Sequence, residues 1–303
     1  MLNNFTRVVS VVLAVCSAVA LAGACGTKEG RGKPVMPREV SDAEARILWD
    51  AEQILIRDCV ARAGFRYWVP SYPPFPEGRE FPYVLDDLDW ARKNGYGAAL
   101  RAHMRKADEA DPNRRYLKSL PVARRRAVLV VLNGVGPTPG ARGRRPDEVE
   151  AWLPTGGVVR RGTADCPSQA QRALYGDLAG WFRATRVTGS LTALTEARVL
   201  GDPRYGAAVR PWASCMERRG HPFATPARAR TETLRTAPRH AEEVEVAVAE
   251  ASCAEVTGLA SRARSLEAEH AHIVTTPYRA EVVALRRLRL EALPRARGVV
   301  ARG

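Results

Sequence analysis

Four cysteines, Cys59, Cys166, Cys215 and Cys253, are the residues best placed to do chemistry in this chain. Four thiols in an exported chain pair as two disulfides, in one of three connectivities. The same four could ligate zinc, but none stands in a Cys-x-x-Cys spacing. An exported chain also meets an oxidising compartment, so disulfides and no metal are expected. The histidines are His103, His221, His240, His270 and His272. His270 and His272 are two apart, so on a helix they face different ways and cannot share one ion. Asp86, Asp87 and Asp89 read as an acid/base pair, a cation site or, in the plainer reading, the acidic first turn of a helix. The chain has no P-loop, dinucleotide fingerprint, Gly-x-Ser-x-Gly or His-Glu-x-x-His. No catalytic residue and no cofactor is assigned.

Where this chemistry takes place is written at the N-terminus. Arg7 precedes an apolar run from Val8 to Ala22, and small residues lead into Cys25. The run is too short for a permanent span and ends like a cleaved export signal. Leu21-Ala22-Gly23-Ala24-Cys25 resembles the lipobox of bacterial lipoproteins, in which the Cys thiol is joined to a diacylglycerol and becomes the first residue. Its branched residue sits one place further from the Cys than usual. Ala22-Gly23-Ala24 also fits an ordinary secretory site, which would leave the protein secreted. Cysteine parity favours lipidation: with Cys25 acylated, the remaining four can pair. Residues 1–24 are therefore read as signal and 25–40 as a flexible tether, rich in Gly, Pro and charge.

The chain has 303 residues and a formal charge of +14, which falls to +13 without Arg7. Only five of the cations are lysines, and the arginines are spread along an Ala- and Gly-rich chain. Codon composition accounts for that spread better than a dedicated basic stripe. Attraction to anionic head groups or wall polymer is the functional alternative. Export argues against a nucleic-acid partner.

A module recurs. Cys59-Val-Ala-Arg-Ala-Gly-Phe-Arg-Tyr-Trp-Val-Pro70 matches Cys215-Met-Glu-Arg-Arg-Gly-His-Pro-Phe-Ala-Thr-Pro226 in its Cys, Arg, Gly, aromatic and Pro positions. Each copy ends an amphipathic helix. The first starts at a capping box, Ser41-Asp-Ala-Glu44, and closes at Gly64. The second starts at Asp202-Pro203 and stops at Gly220, with Pro211 expected to kink or restart it. The Pro at the end of each copy is expected to prevent further helix. If the modules are duplicates, each closes on its own later cysteine, giving Cys59–Cys166 and Cys215–Cys253. The organisation expected is one helical Cys module over 41–190 and a second over 191–303.

Other helices are expected from about Val84 to Lys93, from Ala98 to about Ala110, and from Ser119 to Asn133, where Val128 to Leu132 reads as buried. A further helical run starts at Cys166. A long helix from about His240 puts Val256, Leu259, Ala263, Leu266, His270 and Ile273 on a seam, weakened slightly at Gly258 and kinked at Pro277. His270 there reads as a hydrogen-bonded core residue. The Pro- and aromatic-rich stretch 70–82 is expected to lie over the core as a lid, or to form a ligand-binding lip. One β-hairpin is expected over 148–162, turning at Thr155-Gly-Gly157.

The Cys-x-x-Arg-x-Gly pair, the segment running from Trp152 through Cys166 to Gly176, and Ala247 to Gly258 resemble a group of uncharacterised exported proteins and lipoproteins of actinobacteria. The resemblance spans most of residues 41–290 and implies no activity. The combined expectation is a mainly α protein: an irregular helical bundle, disulfide cross-linked, with one long kinked C-terminal helix and a small β-hairpin. Its expected place is the outer face of the cytoplasmic membrane, reached through a lipid on Cys25. There it is expected to bind an envelope protein, lipid or wall polymer without catalysis. The alternative is an envelope hydrolase with acidic catalytic residues.

Overall fold

The first helix, α1 (Asp42–Arg62), shows how local signals set this architecture. Ser41 Oγ accepts the Glu44 N–H at 3.3 Å while the Glu44 carboxylate accepts the Ser41 N–H at 2.9 Å, closing the capping box. The computed structural model describes residues 36–72, 79–135 and 145–303, and residues 37–303 form one compact unit. The signal, Cys25 and most of the tether lie outside the described residues.

After α1 the chain forms α2 (Leu88–Asn94), α3 (Ala98–Ala110), α4 (Pro112–Ser119) and α5 (Val122–Asn133). The hairpin β1 (Glu148–Trp152) and β2 (Val158–Gly162) follows, antiparallel, with Glu148 opposite Gly162 and Trp152 opposite Val158. Then come α6 (Cys166–Tyr175), α7 (Leu178–Leu200), α8 (Pro203–Arg218), α9 (Pro226–Arg235), α10 (His240–Val256), α11 (Leu259–Thr275) and α12 (Arg279–Val300). A short 3-10 turn at Thr276–Tyr278 joins α11 to α12, so the C-terminal helix runs from Leu259 to Val300 and is interrupted at Pro277.

The fold expected from sequence is therefore the fold observed: mainly helical, irregular, with one hairpin and two cross-links. Cys59–Cys166 joins α1 to the start of α6, with Cα atoms 5.6 Å apart. Cys215–Cys253 joins α8 to α10, at 5.8 Å. The two module ends are alike in backbone detail. Phe65 N–H bonds to Val60 O at 3.1 Å and His221 N–H to Met216 O at 2.9 Å, five residues back in each case. Gly64 and Gly220 adopt φ of 79° and 83°, the left-handed turn that makes this bond reachable. Val60 and Met216, at equivalent positions, are both fully buried.

Several expectations are corrected. Gly258 does not merely weaken a helix. Its positive φ (75°) ends α10 and starts α11. With the seam reset there, Val256 and Ile273 face solvent while Leu259, Ala263 and Leu266 are buried. Pro226 does not stop a helix but opens α9 as its first residue, with Thr225 as N-cap. Pro211 lies within the unbroken span of α8. The helix expected from Val84 starts at Leu88, because Asp87 caps it. In the run Val128 to Leu132, Val128 is buried but Leu129 and Val130 are exposed.

The boundary set between 190 and 191 falls inside α7, a 23-residue helix. It buries Leu178, Trp181, Phe182, Ala184, Val187, Leu191 and Val199. It packs on α6, α8, α11, α12 and β1, so it serves both halves.

The disulfides should matter because the cross-linked loops are long. Chain-entropy estimates give about 4 kcal/mol for the 38-residue separation of Cys215 and Cys253 and about 5 kcal/mol for the 107-residue separation of Cys59 and Cys166. The Cys215→Ser/Cys253→Ser double variant should lose roughly 2–5 kcal/mol in urea unfolding. An unchanged midpoint would show that the cross-link constrains nothing.

Candidate functional site

Two carboxylates on α10, Glu243 and Glu250, are seven residues apart, which puts them on one face two turns from each other. Both are buried, at 1% and 0% exposure. A buried carboxylate must be paired or hydrogen-bonded, and these two are satisfied by the segment that precedes and follows α2. Glu250 Oε1 accepts the Leu85 N–H at 2.7 Å, and Oε2 accepts the Tyr96 hydroxyl at 2.6 Å. The Arg230 guanidinium stands 3.9 Å from Oε1 and donates to the Phe81 carbonyl at 2.8 Å. Glu243 Oε1 accepts the Ala98 N–H at 3.0 Å. Ala98 is the first residue of α3, whose N-cap is Gly97, so Glu243 supplies the capping acceptor from another helix. A Cβ at Gly95 would lie 2.7 Å from Glu243 Cγ, so only glycine permits this approach.

Burial pushes the Glu250 carboxyl above the usual carboxylate range, against the Leu85 N–H, the Tyr96 hydroxyl and Arg230, which all pull it down. Burial, then the Glu250 charge, drives the Tyr96 hydroxyl far above the ordinary tyrosine value. Tyr205, whose hydroxyl donates to the Tyr83 carbonyl at 2.8 Å, is pushed up to about 12, again chiefly by burial.

The segment held by α10 forms one wall of a cleft of about 330 Å³. Phe81, Trp90 and Tyr96 give it aromatic surface, and Arg79, Arg101 and Arg230 give it guanidinium groups. Phe81 and Trp90 lie 5.7 Å apart, and the Arg79 guanidinium sits over both rings while pairing with Asp87. Arg101 donates to the Tyr96 carbonyl at 2.8 Å. Glu80 and Glu196 also line the cleft, and neither forms a hydrogen bond or ion pair among the described residues. An adjoining depression of about 570 Å³ shares Arg79 and Trp90 and reaches Asn94 and His103. An aromatic wall ringed by donors and acceptors of both signs suits a polar ligand that stacks and accepts many hydrogen bonds.

The aromatic stretch 70–82 contributes to both readings made for it. Tyr72 packs on Trp49 at 5.7 Å as a cover, while Phe81 and Pro82 line the cleft as a lip. Residues 73–78 lie outside the described ones.

The three aspartates do not converge. Asp87 caps α2 through the Trp90 N–H at 2.8 Å, Asp86 pairs with Arg264 and Asp89 with Arg92. His270 is the hydrogen-bonded interior residue expected: its Nε2 lies 2.9 Å from Asp202 Oδ2. Asp202 is also the N-cap of α8, and Arg204 first, then His270, hold its carboxyl well below the usual range. Among the described residues no three His, Cys, Asp or Glu side chains are grouped to hold a metal.

A further carboxyl, the partly buried Glu52, accepts from Gln171 at 2.9 Å and from Tyr175 at 3.4 Å, and desolvation raises it. Neither buried glutamate of α10 nor Glu52 was singled out from sequence. A Glu in an Ala-rich helix looks solvated until its partner, far away in the chain, is known.

No protein-family model matches the chain, and comparisons with curated proteins and with solved structures find no similar protein.

Glu250 makes stability depend on pH with a definite sign. Its folded-state value is raised, so its contribution is full below the unfolded value of about 4.3 and is lost as pH rises through the folded value. Urea midpoints of the wild type should therefore fall as pH rises above about 4.5, the neighbourhood of that unfolded value. Glu250→Gln, permanently neutral, should flatten the slope, leaving the part with the same sign from Glu52. Parallel wild-type and variant curves would contradict the assignment.

Proposed function

We propose that the mature chain is an exported lipoprotein. In this reading a diacylglycerol on Cys25 anchors it to the outer face of the cytoplasmic membrane, and it acts there as a non-enzymatic binding protein of the cell envelope. The observation that carries this reading is cysteine pairing. The four cysteines after Cys25 are taken up by each other in Cys59–Cys166 and Cys215–Cys253. Cys25 is then the odd cysteine of the post-signal chain, and thioether acylation is the chemistry that its sequence context offers an odd thiol. Buried disulfides also fit an oxidising compartment. No helix among the described residues is long and apolar enough to cross a membrane, so anchoring would fall to the lipid.

The ligand surface in this reading is the Phe81–Trp90–Tyr96 cleft, and wall polymer or another sugar-rich envelope component is the chemistry it suits. Sugar rings stack on aromatic faces, and their hydroxyls bond to arginine and carboxylate groups. No cofactor and no nucleic acid enters this reading. It agrees with the resemblance to actinobacterial exported proteins and lipoproteins.

One observation favours the hydrolase alternative: Glu80 and Glu196 share the cleft, and paired carboxylates are the machinery of glycoside hydrolysis. Such a pair needs one member kept protonated as general acid. Glu52 and Glu250 are held by internal donors and do not line the cleft, so neither serves as that acid. The aromatic and guanidinium lining suits ligand binding, and binding is the preferred reading.

A fatty-acid probe should label the wild type and not Cys25→Ala, and the variant should leave the membrane fraction or remain unprocessed. An unlabelled, soluble wild type would refute the anchor. Incubated with purified wall polymer, the wild type should release no new reducing ends. Release that is lost in both Glu80→Gln and Glu196→Gln would instead establish the hydrolase.

A further inference from the structure

The helix α5 is apolar on the wrong side. Its inner face is met by Val128, fully buried in a cluster with Ile56, Val60 and Phe65, and by the partly buried Val131 and Leu132. At about 100° per residue, Val122, Arg126, Leu129 and Val130 fall together on the side turned away from Val128. Val122 is 70% exposed, Leu129 40% and Val130 42%, and Val135 just beyond the helix is 67% exposed. Of the exposed large apolar side chains among the described residues, these four fall within fourteen consecutive positions. Trp68, also exposed, is tied to the same region by paired 2.8 Å hydrogen bonds to Asn113 of α4 and an edge contact with Tyr116. A monomer gains nothing by presenting such a strip to water.

The charge on α4 and α5 themselves is of one sign. Residues 112–133 hold six cations, Arg114, Arg115, Lys118, Arg124, Arg125 and Arg126, and no acidic residue. Arg114 pairs with Asp108, Arg124 lies over the Phe65 ring, and Arg125 caps the carbonyls at the end of α4. Arg115, Lys118 and Arg126 form no ion pair among the described residues. We infer that the outer face of α5 docks on the head-group layer of an anionic phospholipid bilayer, with Val122, Leu129 and Val130 entering the acyl boundary and Arg115, Lys118 and Arg126 meeting lipid phosphates. This is the pattern of an interfacial amphipathic helix, apolar residues set among cations. A second copy of the chain fits less well, because a two-fold contact between α5 helices would bring Arg126 against Arg126.

The inference rests on the reading that the mature chain works at a membrane surface, and the geometry allows both contacts at once. From Cys25 to Asp42 the chain can span up to about 55 Å when extended, and α1 is about 31 Å long. Because α5 packs beside the C-terminal half of α1, a lipid on Cys25 and the α5 face can reach one bilayer. The lipid then fixes the protein to the membrane, and α5 fixes its orientation.

The test uses the unlipidated mature chain from residue 26 onward, which keeps the whole compact unit 37–303. Flotation is measured with vesicles of equal parts phosphatidylglycerol and phosphatidylcholine, and with phosphatidylcholine alone. The wild type should float with the anionic vesicles and not with the neutral ones. Val122→Asp/Val130→Asp should reduce partitioning at least about tenfold, and Lys118→Gln and Arg126→Gln about fivefold each. All four positions are exposed, so helicity and melting should be unchanged. Failure of the wild type to float, or equal flotation of all variants, would overturn the inference. So would a change from dimer to monomer by light scattering in the aspartate variant, which would assign the face to a second copy. None of these outcomes depends on Cys25, so the anchor and the docking face stand or fall separately.

Discussion

The cross-link between Cys215 and Cys253 is the constraint on which most of the architecture depends. It ties α8 to α10 inside the largest core, where Trp212, Met216, Cys253 and Ala254 are all fully buried. Trp212 Nε1 adds a bond to the Glu250 carbonyl at 3.4 Å, three residues from the cross-link. With α10 fixed, its carboxylates Glu243 and Glu250 become rigid acceptors. The loops around α2 hang on those acceptors, and the cleft is a consequence of that attachment. The dependence runs one way: a stretch from Tyr83 to Gly97 that contains only the short helix α2 could not hold an aromatic wall by local propensity alone.

The same device recurs in the first half with different partners. Cys59–Cys166 sets α1 against α6, and Gln171 and Tyr175 of α6 then satisfy Glu52 of α1. Each module thus couples a disulfide to glutamates bonded to other segments: the partly buried Glu52 in the first, and the buried Glu243 and Glu250 in the second. What joins the modules is α7, together with α12 packed along α1. A chain whose halves share a central helix cannot separate into two bodies, and the cleft lies where segments of both halves meet, since Phe81, Trp90 and Tyr96 face Arg230 of α9.

Much of this was legible in the sequence, and the misses have physical causes. Capping boxes, X-Pro starts and Gly stops act within one turn, so α1, α3, α8 and the hairpin could be read locally. The equivalence of Gly64 and Gly220 could be read too, because a Schellman closure is a local bond pattern. The starts of α4 and α9, Asp111-Pro112 and Thr225-Pro226, carry the same signal as Asp202-Pro203 and were available to the same reading. By contrast, α7 is apolar over more than one face because it packs against several elements, so its periodicity is blurred. The exposure of Leu129 and Val130 could not be read at all: an apolar run says that a side chain avoids water, not which surface it will meet. The cleft was legible only as an aromatic stretch, because Arg230, which lines it, and Glu250, which holds its wall from behind, come from some 150 residues away.

The central claim is that four cysteines cross-link the helices and the fifth carries the anchor. It is tested most directly by non-reducing peptide mapping of the native protein extracted from membranes. The account predicts linked peptides containing Cys59 with Cys166 and Cys215 with Cys253, and an N-terminal peptide beginning at Cys25 whose mass includes a diacylglycerol. A peptide linking Cys59 to Cys215 or Cys253, or an unmodified N-terminus beginning at or before Cys25, would contradict it.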